Sequence, residues 1–193
     1  MIIIMGTYTL KLFDALRALC FRIGDPRMIV RHATADDADT ITALNEVFVS
    51  VTSPMDSERF RELFKLSSFC LVAEAPNEVL GFVIAMTNGA PYDNGNYKWF
   101  DDRVSDMVYV DRIVLASEAR GQGIGRELYR YLSELALGAG CSVMTAEMDI
   151  DPPNAHSVHF HRMLGFAEIG QRTLDSGKRV SMQSVALSEA TFV

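Results

Sequence analysis

Apolar residues recur along the chain with two alternating periods. Stretches in which every second residue is apolar predict strands, whereas apolar residues three and four positions apart predict helices. From Met28 onward the two patterns follow one another, and the linker Ala75-Pro76-Asn77-Glu78 suits a hairpin. The predicted strands cover residues 28–32, 69–73, 79–86, 107–115, 143–148, 166–174 and 179–187, and the predicted helices cover residues 34–48, 56–66, 121–139 and 154–164.

This interspersion of strands and helices predicts an α/β fold. We expect about seven strands in a mixed, mostly antiparallel sheet that carries helices on both faces. Residues 1–27 differ from the rest, because Leu10–Phe21 has the spacing of a short helix that Gly24-Asp25-Pro26 would end. We interpret residues 1–27 as an N-terminal appendage and residues 28–193 as one domain.

Residues 87–106 form a polar and aromatic segment that we interpret as a long loop. Loops of this length are often functional. The segment holds Tyr92, Tyr97 and Trp99, the chain's single tryptophan, together with several polar side chains. Aromatic faces near carboxylates suit a cationic acceptor, so these three residues are candidates for substrate binding. The alternative is that they fill the core.

Composition and charge exclude some classes of function. The formal net charge is −7, with 25 acidic and 18 basic residues, which argues against nucleic-acid binding. The apolar run Met1–Met5 lacks the basic start of a secretory signal, and no run is long enough to span a bilayer. We expect a cytoplasmic protein without membrane contact. Three scattered cysteines, Cys20, Cys70 and Cys141, are expected to be reduced thiols.

A glycine-rich turn joins the clearest strand to the clearest helix. Arg120-Gly121-Gln122-Gly123-Ile124-Gly125-Arg126 places three glycines and two arginines at a helix start. Free amides and the helix dipole make such a start an anion site, and a diphosphate would fit it. The turn lacks the Gly-Lys-Ser/Thr end of a Walker loop and the spacing of the dinucleotide fingerprint. A tight turn without a ligand is the alternative.

The turn resembles motif A of the GNAT superfamily of N-acetyltransferases. A second block, Asn154-Ala155-His156-Ser157 through Phe160-His161 to Gly165-Phe166, is similar to the superfamily's pattern after the fifth strand. The two blocks come in the superfamily's order, and further phrases such as Tyr109-Val110-Asp111-Arg112-Ile113-Val114 resemble a bacterial branch of it. The resemblance covers about Ile29 to Leu187.

This resemblance implies a GNAT fold with a splay between strands 4 and 5, and acetyl-CoA as the cosubstrate. The amides of residues 122–125 would hold the pyrophosphate, and Arg120 and Arg126 would add charge. The backbone of Ile113, Val114 and Leu115 would bind the pantetheine arm. Asn154, Ser157 and Phe160 would lie beside that arm. The implied activity is acetyl transfer to a primary amine.

Proton transfer raises a departure from the superfamily's pattern. The tyrosine that commonly protonates the departing thiolate is replaced by His161, which could act as the acid or pack on its helix. Asp111 and Glu147 are the candidate bases, and each could instead pair with an arginine. Strict alternation directs Asp111 and Arg112 to opposite faces of the strand. His156, His159 and His161 lack a zinc-site spacing, so we expect no metal.

Two alternatives to an amine N-acyltransferase remain at this stage. One is a non-catalytic module that binds acyl-CoA, and the other is a nucleotide-binding protein that uses the same glycine turn. The sequence does not identify the acceptor. Sheet edges in such domains often pair, so a homodimer is a further expectation.

Overall fold

The computed structural model describes residues 28–49, 52–76 and 78–192. The appendage expected for residues 1–27 lies outside these ranges. The strands are β1 (Ile29–His32), β2 (Phe69–Ala75), β3 (Glu78–Thr87), β4 (Met107–Leu115), β5 (Val143–Asp151), β6 (Ala167–Thr173) and β7 (Arg179–Ala186), and the helices are α1 (Ala38–Val47), α2 (Ser57–Leu66), α3 (Gly95–Asp101), α4 (Ile124–Gly138) and α5 (Ala155–Met163).

All seven strands form one sheet in the order β1-β2-β3-β4-β5-β7-β6. Neighbouring strands are antiparallel except β4 and β5, which run parallel. The expected mixed and mostly antiparallel α/β sheet is therefore confirmed. No helix within the described ranges has the length and apolar character needed to cross a bilayer.

The parallel pair β4–β5 separates after a short contact. Met107–Tyr109 pair with Val143–Thr145, and the register ends there. Beyond this point β4 stays beside β3 as far as Leu115, and β5 stays beside β7. Backbone groups of β4 that point toward β5 therefore meet no strand formed by the described residues over the second half of β4. This is the splay that the resemblance implied, and it opens in the middle of the sheet.

The sheet separates two apolar cores. Helices α1, α2 and α3 cover the first face, where Ile41, Phe60, Phe82 and Tyr109 are fully buried. Helices α4 and α5 cover the second face, where the largest buried side chains include Tyr129, Leu128 and Leu132 of α4. The leucines of α4 recur at helical spacing, so burying them fixes which side of α4 meets the sheet.

The loop predicted over residues 87–106 is wrong in its middle, because α3 lies there. Asn94 caps this helix, since its Oδ1 accepts hydrogen bonds from the amides of Asn96 (2.8 Å) and Tyr97 (3.0 Å). Only seven residues form α3, too few for a helical period to show in the sequence. The helix places Asn96 and Trp99 against the far half of the sheet.

Candidate active site

A β-bulge in β4 brings two charged residues onto one face of the sheet. Ile84 of β3 pairs with Arg112 and Ala85 pairs with Val110, so the register skips Asp111. An extra residue in one strand interrupts the alternation of side chains. The expectation that Arg112 points away from Asp111 is therefore wrong. The two side chains form an ion pair, with 2.7 Å between Arg112 Nε and Asp111 Oδ2.

Asp111 is fully engaged by its neighbours. Its side chain is 3% exposed, and its Oδ1 accepts a hydrogen bond of 2.5 Å from the hydroxyl of Tyr92. Arg112 reaches further, because its Nη1 donates to Asn45 Oδ1 and to the carbonyl of Ser53, each at 3.1 Å. The pair therefore ties β4 to Tyr92 on one side and, on the other, to α1 through Asn45 and to the segment after α1 through Ser53.

Glu147 lies on the same face, at the far side of the splay. Its Oε1 accepts hydrogen bonds from Asn96 Nδ2 (2.9 Å) and from the hydroxyl of Tyr109 (3.1 Å). Its Oε2 is covered and has no hydrogen-bond partner among the described residues. Burial raises the pKa of Glu147 to about 7, the bond from Asn96 lowers it, and the charge of Asp111 raises it. A carboxyl with this pKa can accept and release protons near neutrality.

Asn96 and Arg172 are site residues that sequence reasoning missed. Arg172 of β6 donates through Nη1 to Asn96 Oδ1, and Asn96 donates to Glu147. These residues are far apart in the chain, with 76 positions between Arg172 and Asn96 and 51 between Asn96 and Glu147. No short sequence motif could therefore link these residues. The one local signal was the capping residue at the start of α3, the helix that carries Asn96.

The three aromatic candidates for substrate binding occupy different environments. Tyr92 is 3% exposed and bonds Asp111, and burial raises its pKa well above the ordinary range. Tyr97 is 1% exposed, donates to the carbonyl of Thr87 and packs edge-on against Tyr109. Trp99 is half-buried and lies over Gly170 of β6. The structure thus brings Tyr92 to the carboxylates and places Tyr97 in the core.

His161 lies on the opposite face, in an aromatic cluster with Tyr129, Phe160 and Phe166. Its Nδ1 lies 2.8 Å from the carbonyl of Ser157, an acceptor only, so Nδ1 carries the proton. Its Nε2 then accepts from the hydroxyl of Tyr129 at 2.8 Å. Burial lowers the pKa of His161 to about 4. The ring is therefore neutral at pH 7, with both nitrogens engaged.

The glycine turn has the geometry of an anion site. Gly121 and Gly123 adopt φ values of +72° and +79°, which L side chains rarely adopt. Gly125 lies so close to Phe160 that a Cβ would meet its ring at 3.0 Å. None of the described residues accepts a hydrogen bond from the amides of residues 121–126. A pyrophosphate would satisfy these amides at the start of α4.

The remaining candidates for cofactor binding surround the splay. Ile113 and Leu115 pack toward the second face, and Val114 is buried in the first. Asn154 caps α5 through a bond of 3.1 Å from the amide of Ser157. The guanidinium of Arg120 lies 4.3 Å from the centre of the Phe48 ring, and Arg126 is exposed.

The other candidate sites carry no cluster of ligands or active thiols. His156 and His159 are exposed, and no group of three or more His, Cys, Asp or Glu residues within the described ranges could hold a metal ion. Cys70 and Cys141 are buried free thiols. Burial raises the pKa of Cys70 to about 12 and that of Cys141 above its ordinary value, so neither is poised as a nucleophile.

Comparison with known proteins places this geometry in a family. The model of the acetyltransferase (GNAT) family matches residues 37–166. The chain is 34% identical over 101 residues to an L-methionine sulfoximine/L-methionine sulfone acetyltransferase of Pseudomonas aeruginosa, a match covering 52% of this chain and 51% of the relative. The match thus spans about half the length of that curated relative.

Solved structures share the fold at lower identity. Ard1 from Thermoplasma volcanium is 13% identical, with a TM-score of 0.68, and the match covers 84% of this chain and 99% of Ard1. The yncA protein of Salmonella typhimurium, solved with its cofactor acetyl-CoA, is 21% identical with a TM-score of 0.62, and the match covers 84% of this chain and 95% of yncA.

Proposed function

Since the chain belongs to the acetyltransferase (GNAT) family, we propose that it transfers an acetyl group from acetyl-CoA to a primary amine, with Glu147 as the general base. The observation that carries this proposal is Oε2 of Glu147 at the splay, which is covered and finds no hydrogen-bond partner in the described part of the chain. A buried polar atom without a partner costs stability, and an acceptor ammonium would satisfy it. Asp111 is the less favoured base, because both of its oxygens already accept hydrogen bonds.

The chain's residues fit acetyl-CoA at two places. The amides of residues 121–126 and the β5-facing edge of β4 over Ile113–Leu115 bond no strand or acceptor within the described ranges. The first group suits the pyrophosphate, and the second suits the amides of the pantetheine arm. When bound, acetyl-CoA supplies the activated acetyl group. Its thioester would then lie at the splay, between the glycine turn and Glu147.

The proposed proton path begins at Glu147. Oε2 takes a proton from the acceptor ammonium, and the free amine attacks the thioester carbonyl carbon. A backbone amide of β4 among residues 113–115 stabilises the oxygen that gains negative charge. The carbon–sulfur bond breaks, and the thiolate takes the remaining surplus proton from the amine nitrogen. His161 has no part in this path, because its one ring proton is held by Ser157.

For the acceptor, we propose an amino acid with a free α-amine. Glu147 and Asp111 provide negative charge for the ammonium group. Arg59 donates through Nη1 to Glu62 at 3.0 Å, is 41% exposed and lies 5.7 Å from the centre of the Tyr92 ring. Its other guanidinium donors would meet the substrate carboxylate. The Pseudomonas aeruginosa relative is named for two amino acids of this type, L-methionine sulfoximine and L-methionine sulfone.

The activity is tested by release of the CoA thiol with a panel of amines. We expect release with amino acids, including the two named above, and a decrease in kcat/KM of about 10²- to 10⁴-fold for Glu147→Gln. Asp149→Asn, on the same face of β5, is the matched control. Binding of CoA without thiol release on any amine would favour the non-catalytic module instead.

The cofactor site is tested separately by calorimetry with CoA. Gly123→Val adds a branched side chain at a positive φ, so we expect CoA affinity to fall about 10- to 100-fold through lost bonds to charged oxygens. Gly138→Ala is the control, since a Cβ there meets nothing within 4 Å. Unchanged CoA affinity in Gly123→Val would contradict the proposed cradle. Tighter binding of ATP than of CoA would favour the nucleotide-binding alternative.

A further inference from the structure

Three side chains form a line of hydrogen bonds from β6 to the carboxyl group of Glu147. Arg172 Nη1 donates to Asn96 Oδ1, and Asn96 Nδ2 donates to Glu147 Oε1 at 2.9 Å. Because a guanidinium has only donors, it fixes the amide of Asn96 with its oxygen toward Arg172. The amide nitrogen must then face Glu147. Asn96 is 8% exposed, so water competes little for these contacts.

Gly95 provides an independent sign that the position of Arg172 matters. A Cβ at Gly95 would lie 3.0 Å from Nη2 and 3.3 Å from Nη1 of Arg172. These distances are shorter than ordinary van der Waals contacts. The guanidinium therefore passes over the start of α3 at a point where a Cβ at residue 95 would push it away by a few tenths of an ångström.

Both donors at Glu147 meet the same oxygen. Asn96 and the Tyr109 hydroxyl bond Oε1, whereas Oε2 has no partner among the described residues. When hydrogen bonds hold one oxygen of a carboxylate, they also fix the direction of the second oxygen, which keeps its capacity to accept a proton. The arrangement therefore separates an anchored oxygen from an oxygen that can take a proton.

We propose that Asn96, held by Arg172, is a positioning residue that occupies Oε1 of Glu147 and directs Oε2 toward the acceptor amine. This proposal rests on the proposed role of Glu147 as the base. The bond from Asn96 also lowers the pKa of Glu147, against the rise that burial causes. The other titratable or charged groups that face Glu147 are Tyr109 and Asp111 of β4 and, through Asn96, Arg172 of β6, while Tyr129 of α4 is influenced by the charge of Glu147 from the opposite face of the sheet.

The first test is Asn96→Ala, read by two pH titrations of the full-length protein. One titration follows the fall of kcat/KM toward acidic pH. The other follows the ¹³C chemical shift of the Glu147 carboxyl, which needs no turnover. We expect both midpoints to move to higher pH, and kcat/KM at pH 7 to fall about tenfold, as for the loss of one bond to a charged group. Lys98→Ala, on an exposed part of the same helix, is expected to leave both midpoints unchanged.

A second pair of variants leaves Asn96 intact. Gly95→Ala should displace the guanidinium of Arg172 and move the midpoints in the same direction by less, whereas Gly138→Ala should not move them. If Asn96→Ala does not fold, Gly95→Ala alone decides, and an unchanged carboxyl midpoint in it overturns the proposal. In the Asn96→Ala/Arg172→Ala double variant, we expect a shift no larger than that of Asn96→Ala, because both residues act through one contact. Additive shifts would overturn the proposal.

The readouts separate this proposal from the function on which it rests. An unchanged carboxyl midpoint in folded Asn96→Ala overturns the positioning role, even where Glu147→Gln is inactive. A shifted midpoint together with full turnover by Glu147→Gln overturns the assignment of Glu147 as the base.

Discussion

Glu147, which is half-buried, and His161, which is buried, are titratable residues on opposite faces of the sheet. Both ring nitrogens of His161 have partners, in Tyr129 and in the carbonyl of Ser157. Among the residues that the structure describes, Glu147 has two donors on one oxygen and none on the other. Burial favours the neutral form of both groups. The difference teaches that desolvation alone does not distinguish the two groups, whereas the hydrogen-bonding capacity left open beside the splay does.

The largest expected effect concerns the folding role of His161. His161→Ala removes a buried ring from an aromatic cluster and leaves the Tyr129 hydroxyl without its acceptor, so we expect a loss of about 4 kcal/mol in the free energy of unfolding. Turnover at pH 8 and a temperature below the transition should stay within a few-fold of wild type. Urea unfolding and a thiol-release assay measure the two. A large fall in turnover with wild-type stability would reverse the roles that we give to the two residues.

The two groups should change stability with pH in opposite directions. The pKa of His161 is lowered on folding from about 6.5 to about 4, so its contribution is fully present above 6.5 and is lost as pH falls toward 4. The pKa of Glu147 is raised from about 4.5 to about 7, so its contribution is fully present below 4.5 and is lost as pH rises toward 7. Each of these two contributions to the free energy of unfolding amounts to roughly 3 kcal/mol.

Between pH 4.5 and 6.5 the two contributions to the free energy of unfolding change in opposite directions with pH. They therefore offset one another in the wild type. Relative to wild type, Glu147→Gln should gain stability as pH rises through this range, and His161→Phe should lose it. Urea titrations at half-unit pH steps would reveal the divergence. If the unfolding free energies of the two variants changed with pH in the same way, the opposite pKa shifts of Glu147 and His161 would be contradicted.

A smaller effect is expected in the pH profile of the reaction. Since the proposed proton path requires an ionised Glu147, kcat/KM should fall below a midpoint near pH 7, by about 100-fold at pH 5. The profile should be measured with an amine whose own pKa lies well above 8. A limb with a midpoint near 4 and none near 7 would point to a group other than Glu147.

The smallest effects come from a matched pair of tyrosines. Tyr129→Phe removes the hydroxyl that His161 accepts, and Tyr109→Phe removes a donor to Glu147. We expect each to cost about 1 kcal/mol in unfolding free energy. Only Tyr109→Phe should move the acid limb to higher pH, because its bond lowers the pKa of Glu147. Equal pH profiles of kcat/KM for the two variants would contradict the different roles of Glu147 and His161.

Local patterns in the sequence were enough to predict most of the fold. The alternation and helical spacing located all seven strands and the four longer helices, and the glycine turn was placed correctly between β4 and α4. The short helix α3 was missed because its stability comes from the Asn94 cap and from packing rather than from a periodic pattern.

The candidate site was less accessible to the same reasoning. Glu147 was named from the sequence, but its preference over Asp111 depends on which oxygens find partners, and those partners are distant in the chain. No sequence motif pointed to Asn96, Arg172 or Tyr129. The joint placement of Asp111 and Arg112 depends on a bulge, which alternation by itself cannot reveal.

That bulge makes the length of β4 as important as its composition. Before Asp111, odd-numbered residues such as Tyr109 face the first core, and beyond it even-numbered residues such as Arg112 and Val114 do. Deleting the bulged residue itself would restore a regular ladder with the same faces, whereas deleting or inserting a residue between Arg112 and Leu115 would turn the remainder of β4 over. The hydrophobic and charged positions there would then exchange environments without any substitution, so insertions and deletions in β4 should be tolerated far less than point changes on its surface.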